Sequence, residues 1–487
     1  MSIRTRFLAV LTAALVVPAA VGHAMAPQAA ATKPTLVAQA VQSPAERQFR
    51  AWLNAFNAGD RAKYEAFLRE RFPSRVARLD GDMDFLLRTG GFELQKVEAA
   101  TATSVTCLVQ ERAWEQVARA VVEVEPAPPH RIVQIGLNLA PRPADLAVRR
   151  LSEADLVPAV RAKVGAQAAG GRFQGAVLVA RDGRVLYSEA KGLADRESGT
   201  PNTLDTRFRM GSMNKMFTAT AILQLVQAGK VKLDAPLGTY LTDYPNRDVA
   251  TKVTIHHLLT HTGGTGDIFG PEFSARRLEL RTLNDYVKLY GARGLEFEPG
   301  SKWAYSNYGF LLLGVIVERV SGQSYYDYVR DHIFKPAGMT GSGSEPEDVA
   351  VGGRAKGYMQ QKGAWVPNTD TLPYRGTSAG GGYTTVGDLL RFATALTGHG
   401  LLDAKHTALL TTGKVDTGQG DKYAYGFVES AGGGVRSFGH SGGAPGMNGD
   451  LRIFPDSGYV VAALANTGSG ASQVVSWVSE RLPAPPR

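Results

Sequence analysis

Helical periodicity followed by strand alternation marks the first folded part of the chain. Apolar residues recur at helical spacing between residues 44 and 68, at Phe49, Trp52, Leu53 and Phe56. A Gly59-Asp60 break divides this stretch into two predicted helices. Four strand-like stretches follow at 92–97, 103–110, 117–124 and 131–139, and the last alternates with Val133, Ile135, Leu137 and Leu139 on one face. This order predicts a small α+β domain over residues 43–140.

Residues 150–487 show a different pattern, with strands at both ends and buried helices between them. Strands are predicted at 176–181 and 184–190, and again at 435–438, 449–454 and 459–466. Uncharged apolar runs at 216–226 and 310–317 have the composition of helices buried on most sides. We expect an α/β (α+β) fold, in which both ends of this domain form one antiparallel sheet flanked by helices, with an all-helical insertion. Residues 141–149 would be the linker.

The first 26 residues have the layout of a secretory signal peptide. Arg4 and Arg6 precede an apolar stretch at 7–17, and small residues follow. An uncleaved membrane anchor is the alternative, but the stretch is short for a span. Residues 27–42 are rich in Ala, Gln, Thr and Pro and are typical of a flexible leader. These features predict a periplasmic or secreted protein.

Composition narrows the classes of function. The 487 residues are 20% charged and 44% hydrophobic, as in soluble globular proteins. The formal charge is +9, and removal of Arg4 and Arg6 leaves +7. No run of basic residues indicates nucleic-acid binding. Cys107 is the only cysteine, so an intrachain disulfide is impossible, and its apolar surroundings in sequence predict a core residue.

The candidate chemistry begins with Ser212-Met213-Asn214-Lys215, at the head of the apolar run at 216–226. Three residues apart on a helix, Ser212 and Lys215 would share a face, so the amine would lie near the hydroxyl. A lysine whose charge is destabilised by burial can take a proton from a hydroxyl at neutral pH. A surface pair is the alternative, since S-x-x-K occurs by chance in long chains.

Tyr305 and Asn307 form a second motif, in a loop that follows a turn sequence at 298–301. Two residues apart in extended backbone, their side chains would point the same way. A phenol with a depressed pKa can move protons to and from a serine. An asparagine amide can donate to a substrate carbonyl and accept from a substrate amide. The alternative is an aromatic loop anchor, which is the role expected for Tyr308.

A third motif, His440-Ser441-Gly442-Gly443, comes just after the predicted strand at 435–438. Glycines let the backbone approach a substrate closely. A backbone N–H at this point and the Ser212 N–H would form the two halves of an oxyanion hole. A plain glycine-rich turn is the alternative, and an isolated histidine is more often a hydrogen-bonded surface residue.

Together, the ordered motifs Ser-x-x-Lys, Tyr-x-Asn and His-x-Gly resemble the serine β-lactamase and penicillin-binding protein superfamily. The resemblance covers roughly residues 150–482 and is greatest to the class C-like branch, which includes esterases and D-aminopeptidases. Supporting pieces are FQGAVLVARDGRVLY, TRFRMGSMNK, HHLLTHTGG, EPGSKWAYSNYGFLLLG and FGHSGGAPG.

The resemblance implies a role for each matched residue and no cofactor. Ser212 would be the acylated nucleophile, and Lys215 its base or electrostatic partner. Tyr305 would be a second proton shuttle, and Asn307 a substrate ligand. The oxyanion would lie between the N–H groups of Ser212 and Gly443. Which of Lys215 and Tyr305 is the primary base stays open.

His440 departs from the Lys-Thr-Gly motif that the superfamily has at this site. That lysine would supply a positive charge for a β-lactam or peptide carboxylate, and a neutral histidine supplies less charge at pH 7. His440 would instead donate a hydrogen bond to a substrate carbonyl or carboxylate. We therefore expect a serine hydrolase that acts on ester or peptide-like substrates, with β-lactamase or D-Ala-D-Ala carboxypeptidase activity as the alternative.

A metal site and a non-catalytic binding role are two alternatives to the serine hydrolase interpretation. His256, His257 and His261 suggest a metal site, but a zincin helix would have Glu where Leu258 stands, so we expect histidines that pack and cap instead. A non-catalytic binding or scaffold protein would use the N-terminal domain, which resembles a nuclear transport factor 2-like cone in AWLNAFNAGD and its four strands. We expect that domain to be a scaffold or a lid.

The expected partner is a small or peptide-like acyl substrate, with a membrane involved only through an uncleaved signal segment.

Overall fold

The computed structural model describes residues 42–361 and 363–484. The predicted signal segment and the predicted leader, apart from Gln42, lie outside these residues. From Ser43 onward, the described residues belong to one compact unit. Within the described ranges, no helix is both long enough and apolar enough to cross a membrane.

Three helices and one four-stranded sheet form the N-terminal part. These are α1 (Pro44–Asn57), α2 (Arg61–Arg71), α3 (Leu79–Thr89), β1 (Phe92–Ala100), β2 (Ser104–Glu111), β3 (Val117–Val124) and β4 (Ile132–Leu139). The strands pair antiparallel in the order β1-β2-β3-β4. The two helices and four strands were predicted, whereas α3 was not. Cys107 is buried, as predicted.

The predicted alternation in β4 is partly wrong. Val124 pairs with Ile132, but Glu123 pairs with Gln134, so a bulge removes Val133 from the regular register. Ile132 is buried in its place, and Val133 is 55% exposed. Only two of the four predicted residues, Ile135 and Leu137, pack against the domain core.

Fourteen further strands follow among the described residues. They are β5 (Gly175–Arg181), β6 (Arg184–Lys191), β7 (Leu193–Asp195), β8 (Thr200–Pro201), β9 (Phe208–Arg209), β10 (Tyr358–Gln361), β11 (Ala364–Pro367), β12 (Tyr383–Thr384), β13 (Val415–Asp416), β14 (Lys422–Tyr423), β15 (Val428–Ser430), β16 (Ser437–Ala444), β17 (Met447–Phe454) and β18 (Tyr459–Ala465). Eight of them form one sheet in the order β13-β14-β15-β16-β17-β18-β5-β6. The last strand pairs antiparallel with β5, so both ends of this domain build the sheet, as predicted.

The sheet has helices on both faces, and twelve α-helices follow the N-terminal part among the described residues. They are α4 (Glu153–Ala169), α5 (Asn214–Gln227), α6 (Arg247–Lys252), α7 (Ile255–Leu259), α8 (Pro271–Arg276), α9 (Leu283–Tyr290), α10 (Asn307–Ser321), α11 (Tyr325–Val329), α12 (Lys335–Ala337), α13 (Val386–Thr397), α14 (Ala404–Thr411) and α15 (Ala471–Ser479). In β5, Val177 and Val179 face one core with α4 and α15. Leu178 and Ala180 face the other, which contains α5, α10 and α13. The period-two pattern of β5 therefore divides the interior into two layers.

Candidate active site

Ser212 lies at the point where a tight turn becomes helix α5. The 3₁₀ turn Gly211–Met213 leads directly into Asn214, so Ser212 sits on the turn and Lys215 in the first turn of the helix. Gly211 has a φ of 55°, and a Cβ there would lie 3.0 Å from the Gly443 nitrogen. Glycine at this position thus lets the turn approach β16 closely. Ser212 stands before the first helical hydrogen bond, so its backbone N–H is among those at a helix start that lack an intrahelical acceptor.

Lys215 is fully buried directly beside the serine. Its Nζ lies 3.3 Å from Ser212 Oγ and 2.8 Å from Asn307 Oδ1, and it also donates to the Ala379 carbonyl. Burial lowers the pKa of Lys215 to about 7, and the negative charge of Asp267 opposes that change. A large fraction of this amine is therefore neutral near pH 7.

The contacts of Lys215 also orient the neutral amine. The Asn307 and Ala379 oxygens can only accept hydrogen bonds, so each takes one N–H of the amine. A neutral amine has two N–H groups and one lone pair. The third contact, toward Ser212 Oγ, is then left for the lone pair. Lys215 is placed to accept the Ser212 proton.

Tyr305 is the second group on the serine. Its side chain forms a hydrogen bond with Ser212 and lies under the Lys215 amine, which is 4.7 Å from the ring centroid. The depressed phenol pKa considered from the sequence is wrong. Burial raises the pKa of Tyr305 above its ordinary value, although the hydrogen bond to Ser212 partly opposes the rise. Tyr305 is therefore a phenol at neutral pH, which makes Lys215 the better proton acceptor.

Asn307 begins helix α10 and is held at both ends of its side chain. Oδ1 accepts from Lys215, and Nδ2 donates to Asp267 Oδ2 at 3.1 Å. Only 7% of the residue is exposed. The structure thus brings Asn307 into the site as a support for Lys215, while its predicted contact with substrate stays a prediction.

His440 lies within strand β16 and not after a strand, because β16 continues to Ala444. Its Nδ1 is 2.5 Å from the Ser441 carbonyl oxygen, which can only accept, so this nitrogen carries the proton. Nε2 then accepts from the Tyr423 hydroxyl at 3.0 Å. Burial, with a smaller effect of the Lys215 charge, lowers the pKa of His440 to about 3.

This arrangement corrects the predicted role of His440. The ring is neutral at pH 7, and both nitrogens are engaged within the protein. No N–H of this ring is left for a substrate carbonyl or carboxylate. His440 is a buried, uncharged wall of the site.

The glycines after His440 bring two backbone segments together. A Cβ on Gly442 would lie 2.0 Å from the Met210 oxygen and 2.9 Å from the Ser212 nitrogen. Ala444 pairs with Met447 across a two-residue hairpin turn, and hydrogen-bonded pairs alternate along such a ladder. The Gly443 N–H consequently points away from β17 and toward the turn that carries Ser212. This geometry fits the predicted oxyanion hole.

A cavity of about 390 Å³ opens onto these groups. Its walls include Ser212, Tyr305, His440, Gly442 and Gly443, together with Trp303, Tyr423 and Arg452. Lys215 and Asn307 are buried behind this surface. All seven predicted site residues therefore meet in one place.

His261 is a residue of this site whose role the sequence did not reveal. Its carbonyl accepts the Ala304 N–H at 2.9 Å, and its Nδ1 accepts the Ser306 N–H at 3.0 Å. Its ring centroid is 4.3 Å from that of Tyr305. His261 thus holds the backbone on both sides of Tyr305. The sequence predicted only a packing or capping role for His261 in place of metal binding, and no motif linked it to Tyr305.

The neighbouring histidines have structural contacts of their own. The His257 ring accepts from the Thr254 N–H at 3.2 Å in a capping box at the start of α7, and His256 Nδ1 lies 2.8 Å from the Tyr425 hydroxyl. These contacts match the predicted packing and capping roles. Within the described residues, no group of three or more His, Cys, Asp or Glu side chains is arranged to hold a metal ion.

A serine beside a neutral lysine, a phenol and two converging N–H groups is the arrangement of a serine hydrolase that forms an acyl-enzyme. A family model described as Beta-lactamase matches residues 160–482. The chain belongs to this β-lactamase family.

Known relatives extend this result. Esterase EstB of Burkholderia gladioli is 39% identical over 197 residues, which are 37% of this chain and 50% of that protein. A penicillin-binding protein from Bacillus halodurans has a TM-score of 0.60 and 34% identity, covering 67% of this chain and 99% of that chain. A D-stereospecific amidohydrolase from Streptomyces sp. has a TM-score of 0.55 and 28% identity, covering 67% and 98%.

Proposed function

We propose that this serine hydrolase acts preferentially on uncharged ester or amide substrates. The observation that carries the proposal is His440, which is neutral and has both ring nitrogens engaged. The site therefore lacks, at this position, the cation that would hold a substrate carboxylate. The similarity to an esterase and to an amidohydrolase supports the two proposed types of carbonyl.

The proposed reaction begins with proton transfer from Ser212 to Lys215. Ser212 Oγ then forms a bond to the substrate carbonyl carbon, and the oxygen of that carbonyl gains the negative charge. The Ser212 and Gly443 N–H groups stabilise this oxyanion. As the tetrahedral intermediate collapses, the bond to the leaving group breaks.

Tyr305 completes the proton balance. Its hydroxyl protonates the departing alcohol or amine, and the ammonium of Lys215 returns a proton to the phenol oxygen. A water molecule then attacks the acyl-enzyme and gives its proton to Lys215. As the bond between the acyl carbon and Ser212 Oγ breaks and the acid product leaves, Lys215 returns this proton to Ser212 Oγ, so each turnover restores the starting state.

A probe and a substrate panel test this proposal. A fluorophosphonate should label wild-type protein but not Ser212→Ala, with the adduct located on Ser212 by mass spectrometry. Short-chain p-nitrophenyl esters should turn over faster than nitrocefin. Equal labelling of both proteins would refute the acyl-enzyme, and rapid nitrocefin hydrolysis with negligible esterase activity would refute the substrate preference.

One observation favours the alternative, a β-lactamase or D-Ala-D-Ala carboxypeptidase activity. Arg452 lines the same cavity and could replace the missing lysine charge. Its Nε lies 3.3 Å from Oδ1 of the buried Asp450, so part of this charge is already compensated within the protein. This compensation makes the alternative activity the weaker of the two.

For the N-terminal part, we propose a nuclear transport factor 2-like scaffold over residues 43–140, joined by a linker at 141–149 to the hydrolase domain at 150–487. Its Glu115 contacts Lys163 at 2.7 Å and the Trp477 indole N–H at 3.0 Å, and it also pairs with Arg481. These contacts support the role of a fixed scaffold and argue against that of a mobile lid. Removal of residues 43–140 should expose this region and lower the melting temperature.

We further propose membership of the class C-like branch and a periplasmic or secreted location. The order of the three motifs supports the first, and Arg4 and Arg6 before the apolar stretch at 7–17 support the second. Cell fractionation with mass spectrometry of the mature N-terminus tests the location. Intact Met1 on cytoplasmic protein would contradict it.

A further inference from the structure

The Asn307 amide has a defined orientation, because its two neighbours accept only one arrangement. The Asp267 carboxylate only accepts hydrogen bonds, so it requires the NH₂ end of the amide, at 3.1 Å. The oxygen end is then left toward Lys215 Nζ, at 2.8 Å. Without Asp267, nothing in these contacts would prevent the amide from rotating its NH₂ toward the amine.

Asp267 is itself fixed by the backbone. Its Oδ1 accepts the Ile268 N–H at 2.7 Å and the Asn307 N–H at 3.0 Å. The carboxylate therefore holds both the main chain and the side chain of Asn307. Neither contact was evident from the sequence, because Asp267 lies forty residues before Asn307 and belongs to none of the three motifs.

We propose that Asp267 is a positioning residue that acts through Asn307, holding its amide so that the oxygen faces the Lys215 amine. This role rests on the proposed acyl-enzyme function. Asp267 makes no contact with Ser212 among those described, so its effect passes through the Asp267–Asn307–Lys215 chain.

The negative charge of Asp267 predicts the direction in which the pKa of Lys215 changes when Asp267 is replaced. The titratable groups around Lys215 are Asp267, Tyr305, His261 and His440. The two histidines are neutral because burial lowers the pKa of each, and burial keeps Tyr305 protonated by raising its pKa. Asp267 is thus the group that favours the ammonium, so its removal must lower the pKa of Lys215.

The experiment measures the rate of Ser212 phosphonylation by an uncharged fluorophosphonate across pH. In wild type, the rate should rise as pH increases and Lys215 becomes neutral. In Asp267→Asn, the inflection should move to lower pH by roughly half to one unit, because a nearby negative charge is lost. In Asp267→Glu, the charge remains while the geometry changes, so the plateau rate should fall with the inflection kept near that of wild type.

Asp285→Asn is the matched control. Asp285 also accepts two backbone N–H bonds, from Arg281 at 3.2 Å and Thr282 at 2.9 Å, but at the start of α9 and outside the site. The inflection in the pH profile of Asp285→Asn should equal that of wild type. An unmoved inflection in Asp267→Asn, or equal shifts in all three variants, would overturn the role of Asp267. Absence of labelling in wild type at every pH would overturn the proposed function and this role with it.

Discussion

Lys215 at the start of α5 and His440 in β16 are two buried nitrogen bases of the same site, and burial gives them opposite properties. It lowers the pKa of Lys215 from 10.5 to about 7 and that of His440 from 6.5 to about 3. The lysine therefore becomes a base that works at neutral pH, whereas the histidine loses its ability to titrate there. Because the two pKa values fall by similar amounts, the residue with the higher starting value becomes the useful base.

Their hydrogen bonds reinforce this difference. Two obligate acceptors hold the N–H groups of Lys215 and leave its lone pair for Ser212. The Ser441 carbonyl and the Tyr423 hydroxyl use both nitrogens of His440. A base in a catalytic site thus requires a free lone pair at the substrate side as well as a suitable pKa.

The largest effect should come from removal of the Lys215 amine. Lys215→Met retains length and apolar packing but cannot accept the Ser212 proton. We expect kcat/KM for a short p-nitrophenyl ester to fall by roughly 10³-fold. A thermal melt shows whether the variant is folded. Activity within a few-fold of wild type would mean that another group takes the proton.

A smaller but still large effect should come from Gly442→Ala. The new Cβ would lie 2.0 Å from the Met210 oxygen, so β16 and the Ser212 turn would have to separate. We expect a loss of about 10²-fold in kcat, the range found when one oxyanion donor is lost. Gly443→Ala, whose Cβ would meet its nearest atom at 3.8 Å, should lose less activity. The reverse order would contradict the close approach at Gly442.

The start of α5 and strand β16 also show which parts of the site can be predicted from the sequence. Ser212 and Lys215 are local partners at i and i+3, and strand β16 carries His440, Gly442 and Gly443 within a stretch of four residues, so short motifs contain them. The sheet and its two closing ends followed from strand alternation. The bulge at Val133 was missed, because one extra residue shifts register without changing the apolar pattern.

Long-range contacts account for most of what was missed. Asp267, His261 and the Ala379 carbonyl reach the site from separate loops, and no periodicity links them to Ser212. The pKa directions of Tyr305 and His440 depend on burial, which a motif does not contain. The charge states of Tyr305 and His440, and the tautomer of His440, are therefore determined by three-dimensional contacts that the motifs do not contain.

His440→Lys would replace the neutral histidine with a second amine, so that both buried bases of the site would be lysines. An ammonium at this buried position would repel the proton on Lys215 and lower the pKa of that lysine further, so the acid limb of kcat/KM should move to lower pH. We expect roughly tenfold lower activity on neutral esters, because the Tyr423 hydroxyl loses its acceptor. Nitrocefin turnover relative to ester turnover should rise. An unchanged ratio would show that the charge at this position does not select substrates.

The smallest effect should come from Tyr423→Phe, which tests whether His440 is inert. In wild type, kcat/KM should rise as pH increases through about 7, because Lys215 loses its proton, and His440 should add no inflection between pH 5 and 9. The variant leaves Nε2 of His440 unpaired, so it should be less stable by about 1 kcal/mol in chemical denaturation. Burial, the main cause of the low His440 pKa, remains, so the pH profile should keep its single acid inflection. A second inflection near pH 6 in the variant alone would show that the Tyr423 hydrogen bond, and not burial, keeps His440 neutral.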